Sequence, residues 1–173
     1  AQVSEIVKMR AMARPSNRPL ASKSIRSLVE LKAVDDQYPL AGQFVAKPNR
    51  PLSDLLSKQG ESWGAVVDAN LLTRLGIAIG DTIKVGDAHY QIRATVAQEP
   101  DRIVSLFSLG PRLLVARSSL AATKLIQPGS QIRYHTRAIL PAGADYTAWT
   151  DSLADTFPKA GWRVRGADEA APG

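Results

Sequence analysis

The 173-residue chain contains no cysteine. That absence excludes disulfide scaffolds, cysteine-bearing zinc sites and thiol nucleophiles. Long apolar runs are missing too. The longest stretch free of charge is ten residues, 37–46, and it contains Pro39 and Gly42, whereas a membrane-spanning helix needs about 20 apolar residues. Aromatic residues are scarce, at 6%. Histidine occurs only as His89 and His135, each inside an expected strand and without companions at metal-ligand spacing. There is no phosphate-cradling G-x-x-x-x-G-K run and no G-x-G-x-x-G fingerprint. No metal and no cofactor are expected. The chain opens on Ala1 with no basic-then-apolar leader, so it reads as a piece of a longer or processed protein.

Acidic residues are absent from one long segment. Residues 102–144 carry six basic and no acidic side chains, and residues 1–33 carry seven basic against two acidic. With a total of +6, the remainder of the chain is therefore −5. Such a field attracts nucleic acid, anionic lipid or an acidic protein. A nucleic-acid groove would cluster Lys and Arg among aromatics. Here the charges of residues 102–144 stand singly, four to ten residues apart. A solvated basic face is the expectation, with no nucleic-acid partner.

What is present is ordinary for a folded domain: 45% hydrophobic and 22% charged residues. Residues 5–12 and 25–34 alternate as strands around a proline-broken loop, a long-looped hairpin. In the second strand Val29, Leu31 and Ala33 share one face, and Glu30 and Lys32 the other. Residues 52–58 have leucines at helical spacing, and 65–67 form a short buried strand. Asp68 is placed to cap a helix over 69–75 that Gly76 ends. Strands at 82–85 and 89–96 around Gly86-Asp87 form a meander. Residues 113–115 are a further strand, and Ser118 opens a short helix to Leu125. Near the end, residues 131–140 alternate. Tyr146, Trp149, Leu153 and Phe157 then line one helix face, and Trp162 and Val164 alternate in a last strand, completing a βαβ unit.

Long alternating strands at both ends and short strands with glycine turns in the middle predict an α+β fold of two lobes. The outer lobe is discontinuous, contains the βαβ unit and takes residues 1–43 and 131–173. An inserted β-rich lobe with short helices takes residues 44–130.

Motifs for catalysis are thin. Gly60-Glu61-Ser62-Trp63-Gly64 fits G-x-S-x-G, the serine-hydrolase nucleophile elbow, which needs a strand before the serine and a helix after it. Here a helix-like segment precedes and a strand-like one follows, so a surface turn is expected. Glu99 and Asp101 flank Pro100, and carboxylates on such a loop more often serve turns and ion pairs than acid–base chemistry. Leu75-Gly76-Ile77 followed by Gly80-Asp81 is a pattern common to small β-barrel modules.

Several segments in order are more specific. They are Val29-Glu30-Leu31-Lys32-Ala33-Val34-Asp35 with Tyr38-Pro39-Leu40 and Gly42, Leu75-Gly76 with Gly80-Asp81, Glu99-Pro100-Asp101-Arg102, Gly110-Pro111-Arg112, and Gln127-Pro128-Gly129-Ser130. Together they resemble the extracytoplasmic domain of ABC transporter permeases of the FtsX/MacB/LolC type, nearest to YbbP-like permeases. The resemblance covers residues 3–167. Ala41 stands where such permeases often have an aromatic, and Lys124 where they often have glycine.

The resemblance implies a Porter-like outer lobe and a Sabre-like inserted lobe, in the periplasmic part of a bacterial inner-membrane protein. It implies a non-catalytic domain that relays ATP-driven conformational change to a periplasmic partner or lipid-like substrate. The implied partners are a cytoplasmic ABC ATPase subunit acting through the full permease, a second permease copy, and a periplasmic lysophospholipase/thioesterase. The residues expected on a partner-contact surface are Asp81, Asp87, Arg102, Arg112, Arg117 and Lys124. Two other readings stay open on the residues: a serine hydrolase using Ser62, and a basic nucleic-acid-binding module.

Overall fold

The computed structural model describes residues 2–17, 25–100 and 110–166. Contacts divide the chain into a larger unit, Val3–Arg137, and a smaller one made of Ala1–Gln2 and Ala138–Gly173.

Alternation in β1 (Gln2–Pro15) and β2 (Ser27–Val34) produces the expected hairpin, paired antiparallel from Ile6↔Val34 to Ala13↔Ser27. The other strands are β3 (Val45–Lys47), β4 (Lys58–Gln59), β5 (Ser62–Val67), β6 (Thr82–Val85), β7 (Ala88–Gln98), β8 (Arg112–Ala116) and β9 (Ile132–Ile139). Six of them close on themselves. β1 pairs β2, β2 runs parallel to β8, β8 pairs β5, β5 runs parallel to β7, β7 pairs β6, and β6 returns to β1. Closure leaves these strands few free edges and creates an inside to fill. β3 joins β7, β4 joins β5, and β9 joins β1.

The period-two pattern decides what fills the barrel. Val7, Met9, Ala11 and Ala13 of β1 point inward with Val29, Leu31 and Ala33 of β2. They meet Ala65, Val67, Ile83, Val85, Tyr90, Ile92, Leu113 and Val115 from the other four strands. Helix α2 (Ala69–Leu75) adds Leu71 and Leu75 to this core. Each large side chain so buried stabilises by about 1.5–3 kcal/mol before entropy is subtracted. Gly76 ends α2 in the left-handed conformation, φ 61°, as expected.

Part of the barrel's outer wall is buried as well. Ile6, Val34, Val66, Ala94 and Leu114 pack beneath Tyr38, Ala46 of β3, and Leu55 and Leu56 of α1 (Leu52–Leu56). Lys32, on the face of β2 opposite Val29, Leu31 and Ala33 as expected, is fully buried, because the wall it occupies has a cover.

Some expectations need correction. Asp68 makes no cap to α2; its Oδ2 accepts instead from the backbone N–H of Arg112 at 2.9 Å. Residues 117–119 are a 3-10 turn leading into α3 (Leu120–Thr123), and Ser118 caps nothing. β5 and β7 are parallel, so β6 and β7 form a hairpin within a barrel rather than a simple meander. The contact division falls at 2/3 and 137/138, and the lobes expected at 43/44 and 130/131 stay a proposal. β1 and β2 supply two of the six barrel walls, and without them β6 and β8 would lose a neighbour each.

In the smaller unit, α4 (Tyr146–Thr156) forms where expected, capped by Asp145, whose Oδ1 accepts from Ala148 N at 3.1 Å. Phe157 and Trp162 meet in a tilted arrangement with ring centroids 5.1 Å apart. Residues 161–166 are irregular, so the strand expected there is not formed. The βαβ unit lacks its second strand among the described residues, since no strand lies beside Trp162 and Val164 to supply a ladder.

Candidate functional site

Three of the segments that carry the sequence resemblance, those of residues 29–42, 99–100 and 110–112, meet at one place. At the centre is a buried ionic network on the outer wall of β2 and β8. Lys32 Nζ donates to Glu99 Oε1 at 2.7 Å, and both side chains are 0% exposed. Lys32 Nζ also donates to the Tyr38 hydroxyl at 2.9 Å. Arg112 Nε donates to Glu99 Oε2 at 3.1 Å, and its Nη1 lies 2.9 Å from Glu30 Oε1. Burial opposes the Arg112 charge, but Glu99 and Glu30 outweigh it and raise the guanidinium above its ordinary value.

The backbone closes around the same residues. Glu30 N donates to Pro111 O, and Asp68 N to Arg112 O, both at 3.0 Å. Gly42, at φ +77°, lies against Pro100, and a Cβ there would come within 2.5 Å of the proline ring. Glu99 and Arg112 thus join the chain on both sides of residues 101–109, and both are held to β2. What this arrangement does chemically is lock strands together. Two carboxylates, Glu30 and Glu99, face two cations, Lys32 and Arg112.

Five of the six residues expected on a partner surface lie among the described residues. Arg112 is buried in the network; its charge is consumed by Glu99 and Glu30. Arg102 lies outside the described residues. Asp81 closes its own turn, accepting from Ala78 N at 2.9 Å. Arg117 pairs with Glu5 at 2.7 Å. Asp87 and Lys124 are brought together at 3.2 Å, both exposed. Arg117 also borders an open cleft of about 560 Å³ with Val34, Asp35, Leu120, Ile126 and Tyr134.

Lys124 is the one non-glycine residue at positive φ among those described, φ 55°, ending α3. An L side chain in this conformation costs about 1–2 kcal/mol, and its exposed ion pair returns about 1 kcal/mol at most. Lys124→Gly is expected to raise stability by about 0.5–1 kcal/mol, measured by urea unfolding. A loss of stability would show that the Asp87 pair outweighs backbone strain.

Among the described residues, Ser62 does not sit in a nucleophile elbow. Ser62 opens β5 directly after the Gly60-Glu61 turn from β4, so a strand follows it where an elbow needs a helix. A Ser–His contact that sequence reasoning missed joins Ser16 Oγ and His89 Nδ1 at 3.1 Å. It is exposed, and no carboxylate orients the ring among the described residues, so it lacks the third member of a triad. Only register brings Ser16 and His89 together, since residues 15 and 83 pair across β1 and β6; no local motif could have signalled it. His135 is held below its ordinary value by burial and by Lys8, Arg137, Arg133 and Lys32. No group of three or more His, Asp or Glu that could hold a metal occurs among the described residues.

No protein-family profile matches the chain. Among curated proteins, the uncharacterized ABC transporter permease YbbP of Escherichia coli (strain K12) is 33% identical over 107 residues. That stretch is 62% of this chain but only 12% of the permease. Among solved structures, the periplasmic region of MacB from Actinobacillus actinomycetemcomitans matches 91% of this chain and 65% of its own, with a TM-score of 0.52 and 18% identity. The extracellular domain of the noncanonic ABC-type transporter YknZ from Gram-positive bacteria matches 91% of this chain and 76% of its own, with a TM-score of 0.57 and 13% identity. The mixed α+β fold is therefore that of MacB-type periplasmic domains. No helix among the described residues is long and apolar enough to cross a membrane.

Proposed function

We propose that this chain, an extracytoplasmic domain of a MacB/FtsX-like ABC transporter permease, has no catalytic activity of its own and works as a mechanical relay on the periplasmic side of the inner membrane. The observation that carries this reading is the pair of likenesses, YbbP in sequence and MacB and YknZ in fold. The physical support lies in the larger unit. The chain enters it through β1 and leaves it through β9, and these two strands pair. Between them stands a closed, filled barrel whose outer wall is pinned by Lys32, Glu99 and Arg112. A close-packed body of this kind transmits displacement rather than absorbing it.

In the working assembly an ATPase subunit on the cytoplasmic side drives two permease copies, and each domain passes the movement to a periplasmic partner or a lipid-like substrate. A periplasmic lysophospholipase/thioesterase is the partner this reading favours, contacting exposed groups such as Asp81, Asp87 and Arg117 rather than buried Arg112.

The test uses the full-length permease with its ATPase in lipid bilayers. The domain has no cysteine, so once any cysteines elsewhere in the permease and the ATPase are replaced, an Asp81→Cys spin label reports from one known place. The distance between labels in the two copies should change between the nucleotide-free and ATP-bound states. A distance distribution unaffected by nucleotide, in a preparation that still hydrolyses ATP, overturns the relay.

A further inference from the structure

Among the described residues, the barrel's outer wall is covered over β2, β8, β5 and β7 but not over β6, β1 and β2 near the other end of the hairpin. There the outward positions of β1 are Arg10, Met12 and Arg14, all exposed. Met12 faces Leu28 directly across the hairpin, and both are open to solvent, 46% and 39%. Arg14 faces Lys84 of β6 directly. Arg26, just before β2, and Leu125 complete a shallow basin of about 460 Å³.

Two features distinguish this wall from an ordinary solvated face. Its four cations have no carboxylate partner among the described residues. The nearest by register is Glu30, opposite Arg10, and Glu30 is engaged by Arg112. Like charges also stand directly opposite each other at Arg14 and Lys84, an arrangement that destabilises a sheet. Apolar side chains lie between the cations instead of outside them. The strands beneath are interior to the barrel ring, so no free edge is offered for strand addition.

We propose that this basin binds an anionic single-chain amphiphile, its acidic head held by Arg10, Arg14, Arg26 and Lys84 and its chain lying on Met12, Leu28 and Leu125. Arginine forks suit phosphate or carboxylate oxygens. Methionine adapts its shape to a flexible chain. An arriving anion removes the repulsion between Arg14 and Lys84. This inference stands on the wall alone and does not depend on the relay.

Dodecyl phosphate, kept below its micelle-forming concentration, is the probe, and calorimetry with Met12 methyl NMR is the readout. One molecule should bind, with the Met12 signal shifted, and about tenfold more tightly than inorganic phosphate or a neutral dodecyl maltoside. Lys84→Glu should weaken binding by roughly tenfold or more without lowering the thermal midpoint, because opposite charges then face each other across β1 and β6. That rules out unfolding as the cause of the loss. Met12→Ser should weaken dodecyl phosphate and leave inorganic phosphate unchanged. Equal binding of the neutral amphiphile, no binding, or indifference to Lys84→Glu overturns the proposal. So does binding of a deca-glutamate peptide through the same cations when dodecyl phosphate does not bind; the occupant would then be an acidic protein segment.

Discussion

Glu99→Ala is expected to lower folding stability by about 3–5 kcal/mol, the cost of leaving buried charge uncompensated. Glu99 accepts from Lys32 and Arg112 through its two oxygens. Lys32 has no route to solvent, being 0% exposed, so removing the carboxylate strands an ammonium in the wall. Arg112 keeps Glu30 and suffers less. The double variant Lys32→Met/Glu99→Leu removes both charges and keeps apolar volume. It should recover much of the loss, since buried pairs contribute little beyond what apolar packing supplies. Urea unfolding of the wild type, the single variant and the double variant measures both. A single-variant loss below about 1 kcal/mol would mean that Lys32 finds another partner in the wall. In the full permease, the relay proposed here predicts that Glu99→Ala also loosens the coupling between nucleotide state and the distance reported from residue 81.

This network marks the limit of what the sequence makes legible. Alternation in β1, β2 and β7 is strong, and those strands lie where the pattern puts them. Glycine and aspartate turns place β6 and β7 correctly for the same reason, since positive φ at Gly86 is a local demand. Alternation separates two faces but does not say whether the second is covered. The pattern puts Glu30 and Lys32 on one face without saying what lies over it, and Lys32 meets its partner 67 residues away. Only the parallel pairing of β2 with β8 and the layer from α1 and β3 decide that wall. Barrel closure is hidden for the same reason. It depends on β5 pairing with both β8 and β7, and nothing in a six-residue segment states how many neighbours it has. The contact residues chosen for charge fare as expected of long-range effects: Arg112 has a buried partner, while Asp87 and Lys124 have each other.

Gly64→Ala tests the remaining motif and is expected to cost about 3 kcal/mol, the upper range for forcing an atom into a filled site. Gly60 and Gly64 frame Ser62 as an elbow would, but each glycine has a packing or turn reason of its own. Gly60 takes φ +58° in the turn from β4 to β5. A Cβ on Gly64 would collide with the backbone carbonyl of Leu55 at the end of α1. It would also meet Arg93 Nη1 at 2.6 Å. Neither neighbour can yield. The Leu55 carbonyl sits in the last turn of α1, and Arg93 Nη1 is committed to Asp54 O at 3.0 Å and Ser57 O at 2.9 Å. The Gly64 N–H itself donates to Ser57 O at 3.0 Å, so β5 cannot back away without breaking that bond. Ser62, half-buried at the strand's start, has no such role, and Ser62→Ala should change stability by about 0.5 kcal/mol or less. The two substitutions therefore separate the readings. A packing motif predicts a large stability loss at residue 64 and silence at residue 62. A nucleophile elbow predicts an esterase activity of the wild-type domain that Ser62→Ala abolishes while the fold stays intact. Thermal unfolding and ester hydrolysis, measured on the same three proteins, decide between them.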